Sequence, residues 1–306
     1  TLADLTEVAN RPALLLVWPN QRNIGAPQEG AIMSISHNAK IWVVGFGQMG
    51  QALARGWLAQ GDYKATEILA LDPHPAAAAV AQDWGLGWAA HQPATGWPEV
   101  VVFALKPQVL LAQAAAYHAV ASAGSLCISI AAGVTTTQLR QALGEGAIVR
   151  AMPNLPAQIG QGMTVCFTPT GLPAAQQALL ERLFNAVGEV AWVPHEDAMA
   201  AVTAVAGSGP AYQMQLTEAM RAAAIQMGLA PALAQQLTLQ TLRGAAQMAW
   251  QLQAERSPAQ LCAQVTSPQG TTAAALEVLA TQGFSRIIGQ AVQAAADRAR
   301  ALANGA

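Results

Sequence analysis

The sequence predicts an α/β fold, an N-terminal Rossmann doubly wound parallel sheet followed by an all-helical dimerisation domain. Three observations lead there. From Lys40 to about His195, short apolar runs bounded by turn residues alternate with helical segments, as strands buried on both faces alternate with crossover helices. A Gly45-Phe46-Gly47-Gln48-Met49-Gly50 turn lies between the first such run and the first helix. Beyond His195 the strand signal stops and only helical segments follow. The 306 residues therefore divide into an irregular N-terminal extension (1–38), a dinucleotide-binding domain (39–195) and a helical domain (196–306).

In the extension, Ala13 to Trp18 is a short apolar run preceded by Asp4, Glu7 and Arg11 and followed by Pro19. A secretory signal has a basic start and a longer apolar region, so this reading is rejected; Met33 is a candidate natural start. Ile41 to Val44 forms the first strand and Gln51 to Gln60 a helix stopped by Gly61. Glu67 to Leu71 is the second strand, ending in Asp72-Pro73, and a helix covers about 75–83. Strands follow near 87–90, 99–105, 125–130 and 147–152, with a helix opened by Lys106-Pro107. Segments 163–167 and 189–193 complete the sheet around a helix at 173–187.

The later helices are expected at 196–206, 210–227, 231–253, 258–265, 271–281 and 284–304, punctuated by Gly207, Gly209-Pro210, Gly228, Pro231, Pro258, Pro268 and Gly283. They are alanine-rich with few charges. Long helices with so little charge suit an intersubunit bundle covered on more than one side. A compact monomeric domain with an alanine-rich surface is the other reading.

Composition excludes several classes. Fifteen Lys plus Arg against 17 Asp plus Glu give a net charge of −2, which offers no basic field for nucleic acid. With 53% apolar and 10% charged residues the chain carries enough core-forming side chains to fold. No stretch reaches the roughly 18–20 unbroken apolar residues of a membrane span. Cys127, Cys166 and Cys262 are scattered, with neither a disulfide framework nor a CxxC site, so the expected location is cytoplasmic. No cluster of His, Cys and acids has metal-ligand spacing, so no metal is expected.

The glycine turn gains meaning from its context: it follows a strand, opens a helix and has Asp72 at the end of the next strand, 22 residues after Gly50. Gly45 permits the tight turn, Gly47 lets the backbone approach a pyrophosphate, and Gly50 allows close helix–strand packing. The helix N-terminus supplies N–H groups and a positive dipole end to phosphates. A glycine turn used only for packing is the alternative, against which Asp72 weighs. Asp72 suits a ribose diol and so NADH; a protonated His74 could instead pair with the 2′-phosphate of NADPH, unless it is a plain exposed turn residue. The cofactor is expected to be NADPH or NADH.

Further motifs carry a resemblance. Ala104-Leu105-Lys106-Pro107, Ser129-Ile130-Ala131-Ala132-Gly133-Val134, Arg150-Ala151-Met152-Pro153-Asn154, Ala201-Val202-Thr203, Gly207-Ser208-Gly209-Pro210-Ala211-Tyr212 and Val265-Thr266-Ser267-Pro268-Gln269-Gly270-Thr271-Thr272 occur in order across about 40–304. In these the chain resembles the pyrroline-5-carboxylate reductases, enzymes that make proline. The resemblance implies NAD(P)H-dependent reduction of 1-pyrroline-5-carboxylate to L-proline, a homodimer with interleaved helical domains, and assembly of dimers into larger rings. It implies that Phe46, Gln48 and Met49 of the glycine turn, with Ala104, Leu105, Lys106, Pro107, Ala131, Ala132, Gly133 and Asn154, border the cofactor, and that the loop 267–272 receives the substrate.

Three positions depart from the family pattern. Gln269 stands where a glycine is usual, which adds strain if that position needs φ > 0. Leu155 replaces a threonine after Met-Pro-Asn. His91 stands where an asparagine commonly approaches the adenosine ribose.

The residue inventory independently favours an imine over a ketone. The lysines are Lys40, Lys64 and Lys106, and no lysine or histidine follows His195. A ketone's developing alkoxide needs a positioned proton donor, usually Lys or His, and in the helical domain Tyr212 is the only uncharged candidate with an acidic hydroxyl. A protonated imine is already electrophilic, so the site need only orient the ring and hold its carboxylate. Backbone N–H groups at Gly270 and Thr271, with Ser267 and a helix dipole, could hold the carboxylate, and Thr272 is the candidate catalytic hydroxyl facing the ring nitrogen. N-capping is the competing role for Ser267 and Thr272, and packing for Tyr212. Glu218 and Arg221 read as an (i, i+3) pair. Two rival functions stand beside the main one: reduction of a related cyclic imine carboxylate, and a non-catalytic NAD(P)-binding scaffold.

Overall fold

The computed structural model describes residues 39–303; the expectations for 1–38 lie outside the described residues. The chain divides into two compact units. The first runs up to Ala131 and adds Thr136–Ala151 and Leu155–Trp192; the second comprises Ala132–Thr135, Met152–Asn154 and the chain from Val193. By its internal contacts the last part of the chain joins the second unit from Val193. Two strand-end segments belong with the helical unit, which no single cut in the sequence could express.

In the first unit the described strands are β1 (Ile41–Val44), β2 (Ile68–Leu71), β3 (Gly87–Ala89), β4 (Val100–Phe103), β5 (Leu126–Ser129), β6 (Ile148–Met152), β7 (Gly162–Phe167) and β8 (Gly188–Trp192). They form one sheet in the order β3-β2-β1-β4-β5-β6-β7-β8. The pairs β1–β2, β1–β4, β2–β3, β4–β5, β5–β6 and β7–β8 are parallel. Every residue of β1, β2, β4 and β5 is buried, which is why these strands read as continuous apolar runs without alternation. The order reverses between β1 and β4, so the carboxyl ends of these two strands flank a topological switch point, where doubly wound sheets bind ligands.

The helix Gln48–Gln60 buries Leu53, Ala54 and Trp57 against the sheet. The Trp57 indole N–H donates to the Leu183 carbonyl at 2.8 Å, satisfying its one polar atom inside the core and tying this helix to Ala174–Asn185. Burial pushes the thiols of Cys127 and Cys166 up to about 12, so both stay protonated in the core.

One helix was not legible in the sequence. Thr136–Leu143 begins in a threonine run of poor helix propensity and is held by packing, with Thr136, Leu139 and Leu143 buried at i, i+3 and i+7. The expected helix 196–206 also changes form: Ala198–Val202 is α-helical and Thr203–Gly207 widens into a π-helical turn.

The helical unit continues with Gly209–Gln226, Pro231–Gln251, Pro258–Gln264, Thr271–Thr281 and Phe284–Ala303. Arg221 grips Glu218 bidentately, its Nε and a terminal nitrogen each 2.7 Å from a carboxylate oxygen. The apolar surfaces of these helices are largely uncovered within one chain. Thr271–Thr281 buries none of its residues, and Pro231–Gln251 buries only Ala234 and Thr238. Among the described residues no helix is long and apolar enough to cross a membrane.

Candidate active site

The three glycines of the first turn differ in what they face. Gly45 has φ +88°, and a Cβ there would lie 2.6 Å from the Ala104 carbonyl oxygen, across the switch point. Gly50 packs so closely that a Cβ would come 2.5 Å from the Gly45 carbonyl oxygen. Gly47 has an ordinary backbone, φ −78° and ψ −164°, and a Cβ on it would meet nothing within 4 Å. Neither conformation nor packing inside the chain requires glycine at 47. Gly47 is the N-cap of the helix Gln48–Gln60, and no side chain caps it. The first-turn N–H groups are thus available beside open space, which is what a close-approaching pyrophosphate requires.

Around this turn Phe46, Gln48 and Met49 separate in role. Phe46 is buried and meets Trp84 edge-on at 6.1 Å between ring centroids, so only its backbone belongs to the turn. Gln48 is exposed and Met49 half-buried. Beside this turn lies a groove of about 390 Å³, without a signature in the sequence, lined by Gln48, Gln51, Ala52, Arg55, Trp84 and Gln158.

Asp72 holds two turns at once. Its Oδ2 accepts from the Phe46 N–H at 2.7 Å and its Oδ1 from the His74 N–H at 2.9 Å. Each oxygen keeps a further lone pair for a ribose hydroxyl. His74 caps the helix Pro75–Asp83, its Nδ1 accepting from the Ala76 N–H at 3.2 Å. His91 is exposed beyond β3, and Lys106 is exposed at the N-cap of Pro107–Gln113, at the end of β4. Ala104 and Leu105 lie between β4 and this helix, with the Ala104 N–H bonded to the Val44 carbonyl at 2.7 Å.

Ala131, at the end of the first unit's contribution from β5, donates its N–H to Ser129 Oγ at 3.3 Å. Ala132 and Gly133 belong to the second unit. There Gly133, φ +79°, lies against the last helix: a Cβ would be 2.9 Å from Leu302 Cβ. In the same unit the Asn154 side-chain amide donates to the Ala206 carbonyl at 2.9 Å, in the π-helical turn. This turn is the feature of the region that sequence reasoning missed; nothing in Thr203 to Gly207 signals widened winding.

The loop before Thr271–Thr281 corrects one expectation and decides another. The Gly270 N–H donates to the Ser267 carbonyl at 3.0 Å, closing a turn with Pro268 at its second position, so it is not a free donor for a carboxylate. The donors left without an intrahelical partner are those of Thr271, Thr272 and Ala273, in the first turn of the helix. The helix is capped by Gly270 and receives no side-chain cap bond, so neither Ser267 nor Thr272 does the capping job; Ser257, by contrast, caps Pro258–Gln264. Gly270 lies close to Ser267: a Cβ there would crowd the Ser267 hydroxyl, which can rotate away, and would lie 3.1 Å from the Ser267 carbonyl oxygen. Thr272 is half-buried in this first turn. Amide N–H groups, the helix dipole and two short hydroxyl side chains therefore gather at one helix end.

Gln269 has φ +59° and is the one non-glycine residue with positive φ among the described residues. The strain anticipated for that position is present, of order 1–3 kcal/mol. Tyr212, at the start of Gly209–Gln226, has a buried hydroxyl with no hydrogen-bond partner among the described residues. No three His, Cys, Asp or Glu side chains converge as a metal site among the described residues.

Comparison with known proteins agrees with this arrangement. The family described as pyrroline-5-carboxylate reductase dimerisation matches residues 196–302, and that described as NADP oxidoreductase, coenzyme F420-dependent, matches 40–133. The pyrroline-5-carboxylate reductase of Pseudomonas aeruginosa is 39% identical over 267 residues, covering 86% of this chain and 97% of the relative. A solved pyrroline-5-carboxylate reductase from Coxiella burnetii superposes with a TM-score of 0.79 at 35% identity, covering 87% of this chain and 98% of that one. The Plasmodium falciparum pyrroline carboxylate reductase, solved with NADP bound, gives 0.76 at 26% identity, covering 87% and 99%. With identity and coverage of this extent, the chain belongs to the pyrroline-5-carboxylate reductase family.

Proposed function

We propose that the chain reduces 1-pyrroline-5-carboxylate to L-proline with NADPH or NADH. Family membership supports the reaction, and the open space at Gly47 carries the cofactor reading. The cofactor, when bound, supplies a hydride to the C=N carbon. Gly45, Gly47 and Gly50 shape the turn that admits its pyrophosphate, the first-turn N–H groups of Gln48–Gln60 receive the phosphate charge, and Asp72 receives the adenosine ribose. Ala104 to Pro107, Ala131 to Gly133 and Asn154 border the remaining length of the cofactor, with His91 and Lys106 at its exposed margin.

The substrate carboxylate lies on the N–H groups of Thr271, Thr272 and Ala273, assisted by Ser267 Oγ and the positive helix end. Thr272 Oγ1 faces the ring nitrogen, orients the imine and relays the nitrogen's proton from water. Protonated at nitrogen through this relay, the ring takes hydride at carbon to give the neutral secondary amine, and no strong acid is required. Mixing the enzyme with pyrroline-5-carboxylate and NADPH or NADH should oxidise the cofactor and produce proline in equal amounts. Cofactor binding with no turnover of any cyclic imine would instead identify a scaffold.

The functional unit is a homodimer with interleaved helical domains, further assembled as a ring of dimers. The uncovered apolar helices support this: Leu239 and Ile287 are 52% and 51% exposed in one chain. Replacing both with Asp places charges in an apolar interface at a cost of several kcal/mol. Light scattering should then show a shift from dimer or larger to monomer; an unchanged mass would refute the interleaved arrangement.

A further inference from the structure

We infer that Gln269 is a specificity-determining residue: its side-chain carboxamide donates to the carboxylate of the cyclic imino acid, a contact that a glycine at this position cannot make. The inference rests on the reading that the loop 267–272 receives that carboxylate. Two observations carry it. First, Gln269 holds the left-handed backbone, φ +59°, at the third position of a turn closed by the Gly270 N–H and the Ser267 carbonyl, where glycine or asparagine is the unstrained choice. Every other described residue with positive φ is a glycine, so the chain elsewhere follows the rule that it breaks here. Second, Gln269 is exposed and its amide makes no hydrogen bond among the described residues. The strain is therefore not offset by a hydrogen bond of the Gln269 side chain to another described residue.

Position decides the ligand group. Gln269 immediately precedes the helix end where the Thr271, Thr272 and Ala273 N–H groups converge, and an anion held there keeps lone pairs for one more donor. A neutral carboxamide adds that donor without a buried charge. It also adds bulk and polarity at the rim of the loop, which favours a compact ring carboxylate over neutral imines of the same size.

The experiment compares Gln269→Gly and Gln269→Glu with the parent enzyme, measuring Tm and steady-state kinetics with pyrroline-5-carboxylate. Gln269→Gly relieves the strained backbone, so its Tm should hold or rise while KM for the imine rises about tenfold with kcat little changed. A residue that only shapes the turn would improve or hold both quantities. Gln269→Glu places like charge beside the substrate carboxylate, so KM should rise further and the rise should shrink with added salt. An unchanged KM in both variants would overturn the inference, as would a KM improved by Glu, which would place the side chain against the ring nitrogen. Failure of the parent enzyme to reduce the imine would strike the function itself, so the two failures are distinguishable.

Discussion

Gly47→Ala is expected to leave the fold intact and to weaken NADPH and NADH binding more than tenfold, whereas Gly50→Ala destabilises the protein. The added methyl at 47 meets nothing within 4 Å, and its backbone lies where any L-residue is comfortable. Its Tm should stay within about 4 °C of the parent, since alanine in place of glycine at a helix N-cap costs about 1 kcal/mol or less. Placed on the face a pyrophosphate approaches, the same methyl holds the phosphates off the helix N–H groups and forfeits about 1.4 kcal/mol or more of binding. At Gly50 the methyl meets the Gly45 carbonyl oxygen at 2.5 Å and Val43 Cγ1 at 3.1 Å, inside the buried junction of strand and helix. Overpacking of this kind costs about 1–3 kcal/mol. Calorimetry on the two variants, with cofactor titrations, separates the effects. Unimpaired cofactor binding by Gly47→Ala would mean that the open space serves no dinucleotide.

Thr272→Ala should lower kcat/KM for pyrroline-5-carboxylate by about a hundredfold while leaving cofactor affinity unchanged, the low end of what a positioned proton-transfer group contributes. The control for folding is already in the structure: Thr272 is not a cap, and the helix it begins is bounded by Gly270, so alanine at this position removes a hydroxyl and little else. Thr272→Ser keeps the hydroxyl and should retain most activity. Full activity in Thr272→Ala would remove this residue from the mechanism and leave the backbone amides as the whole substrate contact.

Much of this was legible in the chain because local chemistry and fold agree. The buried parallel strands announce themselves as unbroken apolar runs, and the spacing of the three glycines in the first turn suggests a separate physical duty for each. The conditional expectation at Gln269 also met a definite answer in its φ of +59°. What stayed hidden depends on contacts distant in sequence or on competition between hydrogen-bond partners. The helix Thr136–Leu143 exists because Leu139 and Leu143 find a core, against the preference of its threonines. The Asn154 contact with Ala206 spans 52 residues and involves a π-helical turn with no sequence signature. At Gly270 the sequence shows a backbone N–H beside a helix end, but not that a turn claims this N–H before any ligand can. His74 was weighed as a cation or a bystander, while the structure uses it as a helix cap.

The double duty of Asp72 bears on how such an enzyme can drift between coenzymes. Its two oxygens brace the glycine turn and the start of the next crossover together, so residue 72 is a strut as well as the group proposed to receive the ribose. An exchange there that welcomed a phosphorylated ribose would loosen the very hinge-point that presents the coenzyme. Evolution, or an engineer, has more latitude at neighbours that hold nothing else in place, and His91 is such a neighbour.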